Sequence, residues 1–334
     1  MGKVLLAADK LGNLRQVDPH ITALANGYRA PQLMGIKDIY PIVRSPKEAG
    51  KYTNWSPDPY IPIDKLRVGM GAKRLRIDVN NSSGSFATAQ YEVEVAILDR
   101  ELKEISEDDR ETYVEKKSLR GERVVQLGME VAVATRLQNA ANYDSGYVTT
   151  LAGGNLFSDY TNSDPIALLS PYITRVALSC GLDEQDMGVW FSPIAWLTFK
   201  NHPKVLNRAV GTTGKEPSKE RIAEILGTKK VDKLVSSYFV TIDETTPDNN
   251  VAARVWNDCI IVGPPAPAAS DPDTPLPGAV VRHDQFPEVD EYIDPTVGGG
   301  PATVKVTKDN WGVTQISRKR LVLIKNVTGI AEVS

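Results

Sequence analysis

The stretch from Ser106 to Asn142 constrains the chain most, because it reads as one long helix. Ser106 stands at a capping position with Asp109 three residues on, the spacing of a capping box. Glu107, Asp108, Asp109 and Glu111 place negative charge at the positive end of the helix dipole. The first half is densely charged, from Arg110 and Glu111 through Glu115, Lys116, Lys117, Arg120, Glu122 and Arg123. In the second half Val124, Leu127, Val131 and Ala134 mark one face at helical spacing. Val125, Met129, Ala132, Val133, Leu137 and Ala140 mark another. Such a helix spans ~50 Å, more than a small domain needs to cross its own core. The pattern predicts a spine, wetted at its start and buried on two sides at its end. The plainer alternative is a long core helix of an α/β enzyme. Gly121 and Gly128 lie inside the helix, each costing about 1 kcal/mol against Ala and each a place for a kink.

The chain has 334 residues, which at ~150 residues per domain gives roughly two domains. Its 41% apolar and 24% charged residues match a globular protein with a sizeable core. It holds no apolar run of about 18 residues, so no membrane span is expected. The apolar run near Met1 is too short for a secretory signal. Cys180 and Cys259 lie far apart and read as reduced, buried thiols. With three histidines at no close spacing, they argue against a zinc site. A net charge of −3 without a Lys/Arg block argues against tight binding to nucleic-acid phosphates. No cofactor is expected.

Residues 1–69 do not read as a compact unit, since Pro19, Pro31, Pro41, Pro46, Pro57, Pro59 and Pro62 interrupt nearly every candidate element. Yet Ile39, Tyr40, Tyr52 and Trp55 are anchors that a disordered tail would lack. An extended, sticky arm must lie on its own body or on a neighbouring subunit. Residues 73–98 read as a β-hairpin: Leu75, Ile77 and Val79 alternate with charged residues, then Tyr91, Val93, Val95 and Ile97 alternate with polar ones. The polar tip is Asn80–Ser85. Lys73, Arg74 and Arg76 on one strand face Glu92 and Glu94 on the other, suited to pairing across the hairpin or with another copy. An isolated hairpin is marginal in water and needs support.

Further on, helices are predicted from Pro165 to Cys180, after Ser192-Pro193 as far as Asn201, and from Ser218 to Gly227. Strands are predicted at Met187–Phe191, Val231–Ile242, Val255–Val262, Thr303–Val306 and Gly312–Lys325, the last long enough to pair far back in the chain. Helix and strand alternate from about 164 to 300, an α/β unit. Pro264–Gly278 is a proline-rich surface loop, and no internal repeat is visible.

These motifs, in order, resemble a family of tailed-bacteriophage major capsid proteins. The resemblance rests on Asp38-Ile39-Tyr40-Pro41-Ile42-Val43 with Gly50-Lys51-Tyr52, and on Asn142-Tyr143 with Ser158-Asp159-Tyr160 and Ser163-Asp164-Pro165-Ile166. It continues through Val189-Trp190, Asn201-His202-Pro203, Ser218–Leu226 and Val255-Trp256-Asn257-Asp258, covering about 28 to 326. It implies an α+β chain of the Hong Kong 97-type capsid fold. Residues 1–69 would be the N-terminal arm, and 70–98 the extended β-hairpin loop. Residues 99–163 would be the peripheral domain with spine helix 106–142, 164–300 the α/β axial domain, and 301–334 the return strands to the peripheral domain. The implied function is structural: hexamers and pentamers of many copies form an icosahedral shell around double-stranded DNA, without sequence-specific binding. Portal and scaffold proteins, and a decoration protein, are the implied partners. The implied location is the virion, after assembly in the host bacterial cytoplasm. Ile39, Tyr40, Tyr52, Trp55, Lys73, Arg74, Arg76, Glu92 and Glu94 are the candidates for contacts between subunits. Some relatives carry a scaffolding segment before the arm; here the arm begins almost at Met1, so a removed segment or a separate scaffold is expected. Lys73 lies near the hairpin base, but no Asn partner for an isopeptide crosslink is identifiable. Deleting 1–45 is expected to abolish shells and leave a folded subunit.

Two rival readings are an encapsulin-like compartment with protein cargo and a soluble α/β enzyme. The enzyme signals are thin. Gly211–Glu216 resembles a phosphate-binding loop, but Ala209 and Glu216 stand where Gly and Ser/Thr are needed. Cys180 with His202 or His283 would make a nucleophile and base, but Cys180 ends an apolar helical face. Asp271, Asp273, Asp284, Glu288, Asp290 and Glu291 match no Ca²⁺ loop and read as a solvated rim.

Overall fold

The computed structural model describes residues 16–17, 38–55, 81–210, 217–234, 238–241, 251–266, 276–296 and 301–330. In chain order these include β1 (Gln16–Val17), β2 (Ile42–Ser45), β3 (Ala49–Trp55), β4 (Asn81–Ala87), β5 (Ala89–Leu98), α1 (Asp99–Glu104), α2 (Glu107–Gln138), β6 (Val148–Thr150) and α3 (Pro165–Cys180). There follow β7 (Gly188–Phe191), α4 (Pro193–Lys200), α5 (Pro203–Val210), α6 (Lys219–Leu226), β8 (Lys230–Lys233), β9 (Tyr238–Thr241), β10 (Val251–Arg254) and β11 (Cys259–Gly263). The last strands are β12 (Gly278–His283), β13 (Glu288–Asp294), β14 (Ala302–Gln315) and β15 (Val322–Lys325). The architecture is a mixture of helices and sheets.

Helix α2 runs unbroken for 32 residues, about 48 Å, and neither glycine interrupts it. It stops at Gln138; a separate 3-10 turn covers Ala140–Asn142. The Ser106 side chain caps no backbone N–H; its hydroxyl donates to the Asp109 carboxylate at 2.6 Å. Of the two predicted apolar faces, the one with Val125, Met129, Val133 and Leu137 is buried. The other is buried only in part: Ala134 is buried, Leu127 and Val131 are partly covered, and Val124 is half exposed.

A five-stranded sheet, in the order β6-β15-β11-β7-β8, carries most of the core. Its strands alternate between two apolar faces, as period-2 geometry requires for a sheet covered on both sides. Val189, Phe191, Ile260, Val262, Val322 and Ile324 point towards α3, with Leu169, Ile173 and Val176 among the residues they meet. Trp190, Ile261, Leu321 and Leu323 point the other way, into a cluster with Met129, Val133 and Leu137 of α2. The helix caps follow the sequence. Asp164 Oδ1 accepts the Ala167 N–H, and Gly181 ends α3 at φ 68°. Ser192 and Ser218 cap α4 and α6, and Gly227 ends α6 at φ 67°.

A second, six-stranded sheet lies in the order β1-β13-β14-β12-β2, with β5 also on β14. Strand β14 is long enough to hold three partners: β13 along Ala302–Lys308, β5 along Ala302–Trp311 and β12 along Trp311–Gln315.

Several expected pairings are corrected. Asn81–Ser85 is not a hairpin tip but part of β4, whose partner is β3, Trp55 facing Asn81 and Ala49 facing Ala87. The ribbon therefore draws one strand from the arm. Strand β5 pairs with β14 along Ala89–Leu98; residues 73–79, its expected partner, lie outside the described residues. Residues 231–242 and 255–262 each break into shorter strands. Within 164–300, β12 and β13 belong with β14 in the six-stranded sheet. Within 301–334, β15 belongs to the five-stranded sheet, antiparallel to β11 and parallel to β6. The 211–216 loop and Asp271 and Asp273 lie outside the described residues.

Candidate assembly site

The ribbon of β3 and β4 is seven residues long on each strand and pairs with no third strand among the described residues. It is held at its base. Thr88 N–H donates to Glu48 O at 2.8 Å, and Asn310 Nδ2 donates to Glu48 Oε1 at 2.9 Å. A Cβ at Gly312 would overlap the Ala87 carbonyl oxygen, so the backbones of β14 and the ribbon meet where only glycine fits. Tyr52 lies across Gly84, the facing residue, and its hydroxyl donates to Gln315 O at 3.2 Å.

The candidate contact residues fall into three groups. Ile39 and Tyr40 are corrected: both are wholly buried in the subunit's own core beside Trp311 and Val280, so neither offers a surface to another copy. The arm turns inward here because β2 joins β12 in parallel, Ile42 facing Val280. The burial of Ile39 and Tyr40 and the pairing of β2 argue against the expectation that deleting residues 1–45 leaves a folded subunit. Glu92 and Glu94 are exposed; Lys73, Arg74 and Arg76, their expected partners, lie outside the described residues. Gln90 Nε2, on the same strand, donates to Glu92 at 2.7 Å, and the Tyr292 hydroxyl of β13 reaches Glu94 at 3.2 Å across β14, which lies between β13 and β5. Tyr52 is half-buried at the ribbon, and Trp55 pairs with Asn81 at the ribbon's far end. Ile42 and Val43, on the edge strand β2, are exposed.

Where α2 meets the six-stranded sheet, the contact is polar. Arg282 of β12 donates twice to Asp309 of β14, Nε to Oδ1 at 2.8 Å and Nη2 to Oδ2 at 2.7 Å. Both are buried. Glu122 of α2 is buried beside them, its Oε1 4.0 Å from the Arg282 guanidinium. Burial pushes the Glu122 carboxyl up to about 7, against the opposing pull of the Gln126 hydrogen bond and Arg282. Sequence reading missed this cluster. The available signal was a charged residue in the apolar strand Val280-Val281-Arg282 and an Asp-Asn pair inside β14.

The suspected nucleophile does not fit that role. Cys180 is buried, and desolvation pushes its thiol up to about 11, away from the reactive thiolate. His202, expected to bond the last helix carbonyls, instead accepts the Lys204 N–H at Nδ1 (3.2 Å) and so caps α5. That fixes the proton on Nε2, which faces the Ser163 hydroxyl at 2.9 Å; Ser163 in turn donates to Asp159 O at 2.7 Å. Every polar atom of the ring is occupied in a structural role. No helix among the described residues is long and apolar enough to cross a membrane.

No family model matches the chain. Over 200 residues, 60% of its length, it is 25% identical to the major capsid protein of Burkholderia phage BcepMu, and the match spans 62% of that relative. A crystal structure of a phage-related protein from Bordetella bronchiseptica superposes with a TM-score of 0.72 at 20% identity, covering 95% of this chain and 99% of the other. The capsid protein in the mature capsid of bacteriophage PhiM1 has a TM-score of 0.53 at 12% identity, covering 90% and 88%. The chain is thus similar in sequence to a phage major capsid protein and shares the fold of phage capsid proteins.

Proposed function

We propose that this chain is a structural major capsid protein of a tailed phage, of the Hong Kong 97-type fold. Many copies, as hexamers and pentamers, would form an icosahedral shell that encloses double-stranded DNA. The observation that carries this reading is the sequence similarity to a major capsid protein. The geometry supports it. A ribbon that pairs with no third strand among the described residues, held through Glu48, Asn310 and Tyr52, gains little from its own subunit at its far end. Contact with a neighbour would offset that, since obligate interfaces bury ~2,000–5,000 Å². The edge strand β2, with Ile42 and Val43 exposed, offers a second contact. Tyr52, Trp55, Lys73, Arg74, Arg76, Glu92 and Glu94 are kept as contact candidates. The role is non-enzymatic, located in the virion, with portal, scaffold and decoration proteins as the implied partners. In domain terms, 1–69 serves as arm, 99–163 as the spine-bearing peripheral part and 164–300 as the axial part, with the strand exchanges described above.

Negative-stain electron microscopy with light scattering on the purified protein tests this. Closed particles, or rings of five and six, are expected. A monomer that stays monomeric with scaffold protein present would overturn the reading. Nucleic acid in the particles is expected; a protein cargo without nucleic acid would point to an encapsulin-like compartment instead.

A further inference from the structure

Along the buried face of α2, Ser118, Glu122, Gln126 and Glu130 recur every four residues, so they form one line on the helix. Three have clear partners. Ser118 Oγ donates to Val114 O at 2.8 Å, Gln126 Nε2 donates to Glu122 Oε1 at 2.8 Å, and the Trp256 indole N–H donates to Glu130 Oε1 at 3.0 Å. Glu122 differs. Its residue is 1% exposed, and its Oε2 makes no hydrogen bond among the described residues. The nearest cation, Arg282, is already committed to Asp309 by two hydrogen bonds. Two carboxylates therefore share one guanidinium where water is excluded.

The other groups facing Glu122 do not supply a second cation. From β14 the same face carries Asp309, Thr307 and Lys305, and Lys305 pairs with Glu291 of β13. From β5 it carries Val93 and Val95, and from β12 Arg282. On α2 itself Gln126 bonds Glu122 and Glu130 is bonded to Trp256. Contact is close: a Cβ at Gly121 would lie 2.8 Å from Thr307 Oγ1 and 3.2 Å from Val95 Cγ2.

We infer that Glu122 is a proton-responsive latch between α2 and the six-stranded sheet. Protonated, it leaves the Arg282–Asp309 pair neutral overall, and the charged half of α2 seats on β5 and β14. Ionised, it adds an uncompensated buried negative charge, which is relieved by that half of the helix lifting into water. The half from Met129 to Leu137 stays seated because its buried carboxylate, Glu130, accepts the Trp256 indole N–H and the residues around it, Met129, Val133 and Leu137, pack in the apolar cluster. The latch belongs to the single subunit and does not depend on shell formation. A carboxyl raised from 4.5 to about 7 by burial agrees with it. Stability from this group is fully present below 4.5 and is lost as pH rises through about 7.

Hydrogen exchange of the full chain, expressed as protection factors, tests the latch. Between about pH 5.5 and about pH 8.5, amides over 118–126 are expected to lose at least about tenfold in protection, while those over 129–137 keep theirs. Glu122→Gln, which cannot ionise, is expected to show no such loss. Equal protection at both pH values in the wild type, or the same loss in Glu122→Gln, would overturn the inference. Should Glu122→Gln not fold, Asp309→Asn serves: it frees Arg282 for Glu122 and should flatten the profile. An unchanged profile in a folded Asp309→Asn protein would also overturn it.

Discussion

Arg282 and Asp309 form a buried, bidentate pair between two neighbouring strands. Removing one partner leaves the other charge buried, and that penalty exceeds the worth of the pair itself. Arg282→Met is therefore expected to destabilise by about 3–5 kcal/mol, read from the urea midpoint. Adding Asp309→Leu should restore much of the loss at about pH 5, where Glu122 is protonated and no charge is then stranded. A midpoint for Arg282→Met equal to wild type would mean that the pair carries no weight. His202 predicts an opposite pH trend to Glu122. Burial lowers its pKa from 6.5, with Lys204 adding to the shift, so its folded form is neutral. Its contribution is present above 6.5 and lost as pH falls below it. In His202→Gln, the loss of stability on acidification should be smaller than in wild type, measured by urea unfolding at about pH 5 and about pH 7.

At the scale of elements, the two glycines of α2 look equal in sequence, each a helix-weakening residue. The structure separates them. Nothing lies within 4 Å of a Cβ at Gly128, whereas one at Gly121 would press on Thr307 and Val95. Gly128→Ala is expected to stabilise by about 1 kcal/mol through helix propensity. Gly121→Ala is expected to destabilise by about 1–3 kcal/mol, as overpacking does. Thermal melts of both variants check the pair, and equal shifts of one sign would contradict the close approach. What local sequence encodes was legible here: the helices predicted from Pro165 to Cys180, after Ser192-Pro193 and from Ser218 to Gly227 all form, capped by Asp164, Ser192 and Ser218. Partner choice was not legible. Val93, Val95 and Ile97 alternate as a strand must, but alternation does not name a neighbour, and β14 lies more than 200 residues away. The α2 cluster was illegible for the same reason, since Glu122 looks like any charged helix residue until β12 and β14 close over it.

At the scale of the whole molecule, the arm is woven into the core. Residues 1–45 include Ile39 and Tyr40, both wholly buried, and β2, paired with β12. Deleting them is expected to abolish cooperative unfolding of the subunit, seen by calorimetry, and Tyr40→Ala alone to cost about 3–5 kcal/mol. A truncated subunit with a wild-type transition would return the arm to the role of a detachable lace. The sequence by itself determined the long helix, the capped helices, the apolar strands and the order of motifs that resembles a capsid family, because these depend on residues within a few positions of one another. Only the tertiary structure decided that β12 and β13 leave the five-stranded sheet for β14, that β15 enters it, and that the arm supplies one strand of the ribbon. Those pairings are made between residues far apart in the chain. Backbone hydrogen bonds do not distinguish one strand from another, so the choice falls to packing around Trp190, Trp256 and Trp311.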